Sequence, residues 1–245
     1  MNIVLNEAHR PSNVHPSRMD SMLARADLRL ATEADLSGWP WAVPHIEGFE
    51  RWDIDAPVLV HGAGPSSHAT LGGAYSIAVN PRSDGPEADA AFALDHQYWK
   101  LDWWRDWSKA NEGATAFYAT PSRFHEGPEY PFACRVIQPA PRFKGYGVHS
   151  WACIGADGIM RKCMYSAIAA VLVAQYVSRG PTIITGCDLD GVCYRDRKEG
   201  KRAFSYREEQ LPEWIAASHN LENVYCHPEM GGPLRDIFPA WKGAA

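Results

Sequence analysis

The sequence predicts an α/β domain built on a doubly wound, mostly parallel sheet, and three observations predict it. Pro57-Val-Leu-Val-His-Gly62 and Pro181-Thr-Ile-Ile-Thr-Gly-Cys187 are short apolar runs ending in glycine, which suits strands buried on both faces of a parallel sheet. Before the second run, Ile159, Cys163, Ser166, Ala167, Ala170, Val171, Ala174 and Val177 recur at spacings of three and four, so a helix is expected over 158–178, closed by Gly180-Pro181. Strand-like segments alternate with loop or helix material along the rest of the chain, as a Rossmann-like arrangement of βαβ units requires.

In order, the elements read as follows. Residues 1–55 have weak periodicity and scattered prolines, and are expected to form an irregular extension whose Trp39, Trp41, Phe49 and Trp52 cover part of the domain. The domain itself spans 56–245. After the first strand come Gly62-Ala-Gly-Pro-Ser-Ser67 and a short candidate helix, then a second strand at Ala74-Tyr-Ser-Ile-Ala-Val-Asn80. Further strands are expected at Ala88–Asp95, Ala114–Thr120 and Phe132–Gln138, and a last helix and strand at Glu208–Ser218 and Asn223–Cys226. The segment of about 191–207 holds the charged run Arg195-Asp-Arg-Lys-Glu-Gly-Lys-Arg202, either a solvated loop or a basic lid.

At 245 residues the chain can bury one substantial core. A net charge of −5 supplies no global field for a phosphate polyanion, so any nucleic-acid contact would be local. The six cysteines form no C-x-x-C pair and no zinc-finger spacing, and no signal peptide is evident. We therefore expect free thiols and a cytoplasmic location, in the host cytoplasm if the chain is phage-encoded. No apolar stretch reaches the length of a membrane span. Oligomeric state is not legible.

A glycine-rich turn leaving a buried strand lets backbone approach a ligand and aims N–H groups at an anion. Gly62, Gly64, Pro65, Ser66 and Ser67 are the candidates here, with either serine as a cap or phosphate ligand. The turn lacks the third glycine of the dinucleotide fingerprint and the lysine of a P-loop. Asn80, Asp95, Gly186, Asp188 and Asp190 are expected at the same carboxyl edge of the sheet, where such folds bind ligands.

The aromatic series Tyr98, Trp99, Trp103, Trp104, Trp107 reads either as core or as a platform for a sugar or base.

Gly-x-Gly-Pro-Ser, a strand ending in Val79-Asn80, the Ala-Asp-Ala-Ala-Phe-Ala-Leu-Asp stretch before a Trp-rich segment, a small-residue helix and Ile-Ile-Thr-Gly-Cys-Asp-Leu occur in that order. Over roughly residues 57–240 this resembles the bacterial sialyltransferase-like glycosyltransferases, the motility-associated glycosyltransferases and their phage-encoded relatives. The resemblance implies a nucleotide-sugar-dependent glycosyltransferase, with a CMP-sugar favoured as donor and a glycan or other small hydroxyl compound as acceptor. Alternatives are a phage-type transferase acting on a hypermodified nucleobase in DNA, and a non-catalytic nucleotide-binding module.

By the same resemblance Gly62, Gly64, Pro65, Ser66 and Asn80 hold the nucleotide and phosphate. Ser166 matches a donor-contacting serine at the start of the long helix, although the expected helix places it in the interior. Ala63 stands where the family commonly has Asn, which leaves the donor open. The monophosphate donor implies no cofactor and no metal ligands. Asp188-Leu-Asp190 imitates a metal-gripping pair, but loop capping or ligand hydrogen bonding is the favoured role. The family's histidine between the Gly-Cys-Asp strand and the last helix has no counterpart between Asp190 and Leu211. His61 and His68, which flank the turn, and His96, which follows Asp95, are therefore the candidates for proton transfer, with Asp95 or Asp188 as carboxylate alternatives.

Overall fold

A computed structural model describes residues 45–94, 98–119, 128, 130–137, 151–154, 160–163, 165–189, 210–211, 214–215, 217–218 and 221–243. Ten strands and two α-helices are described: β1 (His45–Glu47), β2 (Val58–His61), β3 (Tyr75–Val79), β4 (Ala90–Ala93), α1 (Asp102–Ala110), β5 (Thr115–Ala119), β6 (Ala133–Ile137), β7 (Trp151–Ile154), β8 (Met160–Cys163), α2 (Ser166–Val177), β9 (Thr182–Thr185) and β10 (Val224–Cys226). Eight strands form one sheet in the order β1-β6-β5-β4-β3-β2-β9-β10, and β7 pairs with β8 in a separate antiparallel ribbon.

The seven strands from β6 to β10 are all parallel, and β1 closes one edge antiparallel to β6. The chain steps outward from β2 to β6, then returns to lay β9 and β10 on the other side of β2. This is the expected α/β, Rossmann-like doubly wound sheet. The winding direction reverses between β2 and β9, so a crevice belongs at the carboxyl ends of the strands there.

Strand alternation sorts the two faces by side-chain size. On one face Val58, Val60, Ile77, Val79, Phe92, Phe117 and Ile184 join a core with α2, whose residues from Ile168 to Ala174 are all buried. A helix apolar around its circumference has to be covered on both sides; Trp214 and Phe238 belong to the same core. On the other face Ala78, Ala91, Ala93 and Ala116 leave room for Tyr98, Trp99, Trp104 and Trp107. Small strand residues and large helix residues thus fill one layer at interior density. Four of the five aromatics in that series are core, and only Trp103 is substantially exposed, at 38%.

The segment before β2 is more regular than the expected extension, since it supplies edge strand β1. It also closes the end of α2: the Trp52 and Ile54 N–H groups donate to the Tyr176 and Val177 carbonyls (3.1 and 3.0 Å), which no longer have partners within the helix. Residues 1–44, with Trp39 and Trp41, lie outside the described residues, as does the charged segment 191–207. Residues 210–211, 214–215 and 217–218 are helical, inside the last expected helix.

Two expectations change. The helix expected over 158–178 begins at Ser166, because Met160–Cys163 is strand β8. A spacing of four, as between Ile159 and Cys163, fits period two as well as period 3.6. The short helix after the first glycine turn is replaced by successive turns, held by Ser67 N–H to Gly64 O and Ala69 N–H to Ser66 O (both 3.0 Å). Among the described residues no helix is long and apolar enough to cross a membrane.

Candidate ligand-binding cleft

The loops that follow β2 and β3 face each other across a cleft of about 160 Å³. Its walls are residues 62–65, Ser67 and His68 on one side, and residues 79–82 and 84–86 on the other. Each wall is anchored by a distant part of the chain.

The first wall is fastened to the segment after β9. Gly62 and Gly64 N–H donate to Thr185 O (2.7 Å) and Gly186 O (2.6 Å). Ser66 donates its N–H (3.1 Å) and hydroxyl (3.0 Å) to Asp188 Oδ2, and its Oγ accepts the Gly186 N–H (2.8 Å). Asp188 Oδ1 accepts the Gly231 N–H (2.9 Å). The buried Asp188 carboxylate therefore ties three loops together and satisfies donors that would otherwise be stranded.

This fastening changes the reason for the glycines. A Cβ on Gly62 would lie 2.3 Å from Gly186 O, and one on Gly64 2.5 Å from Asp188 Oδ2 and 2.8 Å from Gly186 O. Both glycines are required by the approach of β9's loop, and of the three glycines at this contact Gly186 alone has a left-handed φ, +64°. Most of the turn's N–H groups are likewise spent within the protein. Ala63 N–H is the exception, with no partner among the described residues.

The second wall is pinned on the tryptophan layer. Tyr98 Oη donates to Pro81 O, and Trp107 Nε1 donates to Pro86 O (2.9 Å). Arg82 lies with its guanidinium carbon 4.0 Å from the centre of the Trp103 ring. At the head of this loop Asn80 has a left-handed φ of +46°, a conformation Asn tolerates better than most residues. Its Nδ2 donates to Ser166 Oγ (3.2 Å), and its buried Oδ1 has no partner among the described residues. With α2 beginning at Ser166, this serine stands in the first turn of the helix.

Of the residues singled out from sequence, the cleft brings together Gly62, Gly64, Pro65, Ser67 and Asn80, and Ser166 reaches it through Asn80. Ser66, Gly186 and Asp188 support the turn and do not line the cleft. His61 is also absent from the walls. It is 3% exposed; its Nδ1 donates to Ser67 O (2.8 Å), and its buried Nε2 has no partner among the described residues. Burial holds its imidazole below the ordinary value of 6.5. Asp95, His96 and Asp190 lie outside the described residues.

His68, a sequence candidate for the base, lines the cleft, whereas the charged residues Arg82 and Asp84 were not singled out. Arg82-Ser83-Asp84 follows the Asn80 strand end, so its position in the sequence was the available signal. Backbone N–H, hydroxyl, imidazole and guanidinium are all donors an anion can use. Among the described residues no group of three or more His, Cys, Asp or Glu comes together to hold a metal ion. No family model, curated protein or solved structure matches the chain.

Proposed function

We propose that the chain binds a nucleotide-activated sugar in this cleft, CMP-linked by preference, and transfers the sugar to a small hydroxyl acceptor or glycan. One observation carries the reading. The glycine turn and Asn80, the two elements that the sequence resemblance assigns to the donor, form opposite walls of one cleft, with Ser166 bonded to Asn80. That cleft opens at the carboxyl edge of a parallel sheet beside its switch point.

In the proposed reaction the acceptor oxygen attacks the anomeric carbon, the bond from that carbon to the phosphate oxygen breaks, and the nucleotide leaves with the electron pair. The acceptor proton passes to a base on the cleft wall. His68, an exposed imidazole beside the turn, is the assigned base, with the Asp84 carboxylate as its rival. The leaving phosphate is a monoester, which polar donors can stabilise, so EDTA is expected to leave donor binding and turnover unchanged. The burial of Trp99, Trp104 and Trp107 favours a small acceptor over a nucleobase in DNA, because it removes most of the stacking surface that a base would use.

The test is thermal stability with CMP, CDP, UMP, UDP and their sugars at millimolar concentration, followed by assay of donor hydrolysis. A ligand of the folded state raises the melting temperature. No shift with any of them overturns the reading, whereas binding without hydrolysis or transfer leaves a non-catalytic nucleotide-binding module.

A further inference from the structure

We infer that Arg82 is the cation that pairs with the phosphate in this cleft, and that Trp103 is its positioning residue. The inference rests on reading the cleft as an anion site, and it adds a charge that the glycine turn does not supply. With the N–H groups of Gly62, Gly64, Ser66 and Ser67 spent within the protein, the turn cannot act as the usual backbone cradle. A phosphate would need a side-chain cation, and Arg82 is on the facing wall.

Its placement is fixed from both ends of its own loop. Tyr98 holds Pro81 and Trp107 holds Pro86, while the Gly85 N–H closes a turn on Arg82 O (2.8 Å). Both aromatic anchors belong to the buried layer, so the loop backbone rests on the core. The Arg82 side chain then lies over Trp103, the one exposed tryptophan of α1. A guanidinium carries its N–H donors in its own plane, the geometry that meets two phosphate oxygens at once. A lysine retains the charge without the plane.

Trp103 also explains an oddity of composition. The other aromatics of the series pack with alanines of the sheet, whereas Trp103 is exposed and lies beneath the Arg82 guanidinium. A cation over an indole loses rotamer freedom before a ligand arrives, so less is lost on binding.

The test titrates CMP, and separately inorganic pyrophosphate, into the whole chain and into Arg82→Gln, Arg82→Lys, Trp103→Ala and Trp103→Phe by calorimetry at low and moderate salt. Circular dichroism and melting temperature establish that each variant is folded; both side chains lie outside the core, so folding is expected. Arg82→Gln should weaken both ligands about tenfold or more and flatten the salt dependence. Arg82→Lys should retain the salt slope while losing part of the affinity.

Trp103→Ala should cost about two- to fivefold, and Trp103→Phe should recover most of it, because a phenyl face still supports the cation. Unchanged affinity in folded Arg82→Gln would overturn the inference and leave the proposed function standing. Pyrophosphate binding that needs Arg82, with no nucleotide bound, would overturn the proposed function and support Arg82. Equal losses in the two Trp103 variants would remove Trp103 from the positioning role. No binding of either ligand by the unmodified chain overturns both readings.

Discussion

Asp188 and Ser66, 122 residues apart, are joined by two hydrogen bonds to one carboxylate oxygen, from the Ser66 N–H at 3.1 Å and its hydroxyl at 3.0 Å. The partner oxygen takes the Gly231 N–H at 2.9 Å. A buried carboxylate with three donors is an anchor, and its removal strands those donors in a dry environment. The geometry thus places Asp188 behind the glycine turn, where a proton acceptor for a hydroxyl in the cleft would not serve.

Asp188→Ala is accordingly expected to destabilise the fold by about 2–4 kcal/mol, measured by urea denaturation. Asp188→Asn should lose nearly as much, because an amide presents one donor to groups that are already donors. A stable Asp188→Asn protein that binds donor normally but fails to turn over would instead return Asp188 to the chemistry.

Gly64→Ala is expected to lower stability by about 1–3 kcal/mol, the range for forcing an atom into a packed site. Its new methyl would meet Asp188 Oδ2 and Gly186 O, neither of which can move without breaking the anchor. Gly72→Ala is the control, since its Cβ would have nothing within 4 Å and its φ is not left-handed. Comparison of the two urea midpoints checks the claim, and equal midpoints would contradict it.

Much of the fold was readable because it depends on local patterns. Val58–His61 and Thr182–Thr185 are buried on both faces and bounded by Pro and Gly, so their strands could be found without a partner in view. The alanines of β4 and the tryptophans of α1 match as small against large, which sequence alone could read only as two alternatives. The site was less legible because its logic is long-range. Nothing in Gly62–Ser67 announces that Gly186 and Asp188 will occupy the space beside both glycines. Similarly, His68 and Arg82 come to line one cleft only because the loops after β2 and β3 are set opposite each other.

His61 gives the protein a predictable pH dependence. Its imidazole is buried, with Nδ1 on Ser67 O, and its pKa lies below 6.5; burial is the main cause, opposed by the Ser67 hydrogen bond, with His68 and His227 adding to the lowering and Asp89 opposing it. A group with a depressed folded pKa takes its proton in the unfolded chain first as pH falls. Its contribution is therefore complete above the unfolded value and is lost as pH drops from about 6.5 toward the folded value, with a slope of at most about 1.4 kcal/mol per pH unit. Urea midpoints at about pH 7.5 and pH 5.5 should differ more for the wild type than for His61→Asn. Equal pH sensitivity in the two would show that other groups carry the effect.

The base assignment is tested on the cleft wall. His68 is exposed, so His68→Gln should leave the melting temperature and CMP affinity close to wild type. If its imidazole takes the acceptor proton, turnover should fall about 10²–10⁴-fold while the KM for donor changes little, because the proton is transferred only in the transition state. Asp84→Asn should then keep most of its activity. If Asp84 is the base, the two variants exchange behaviour. Normal turnover in both single variants and in the double variant would place the base outside this cleft wall.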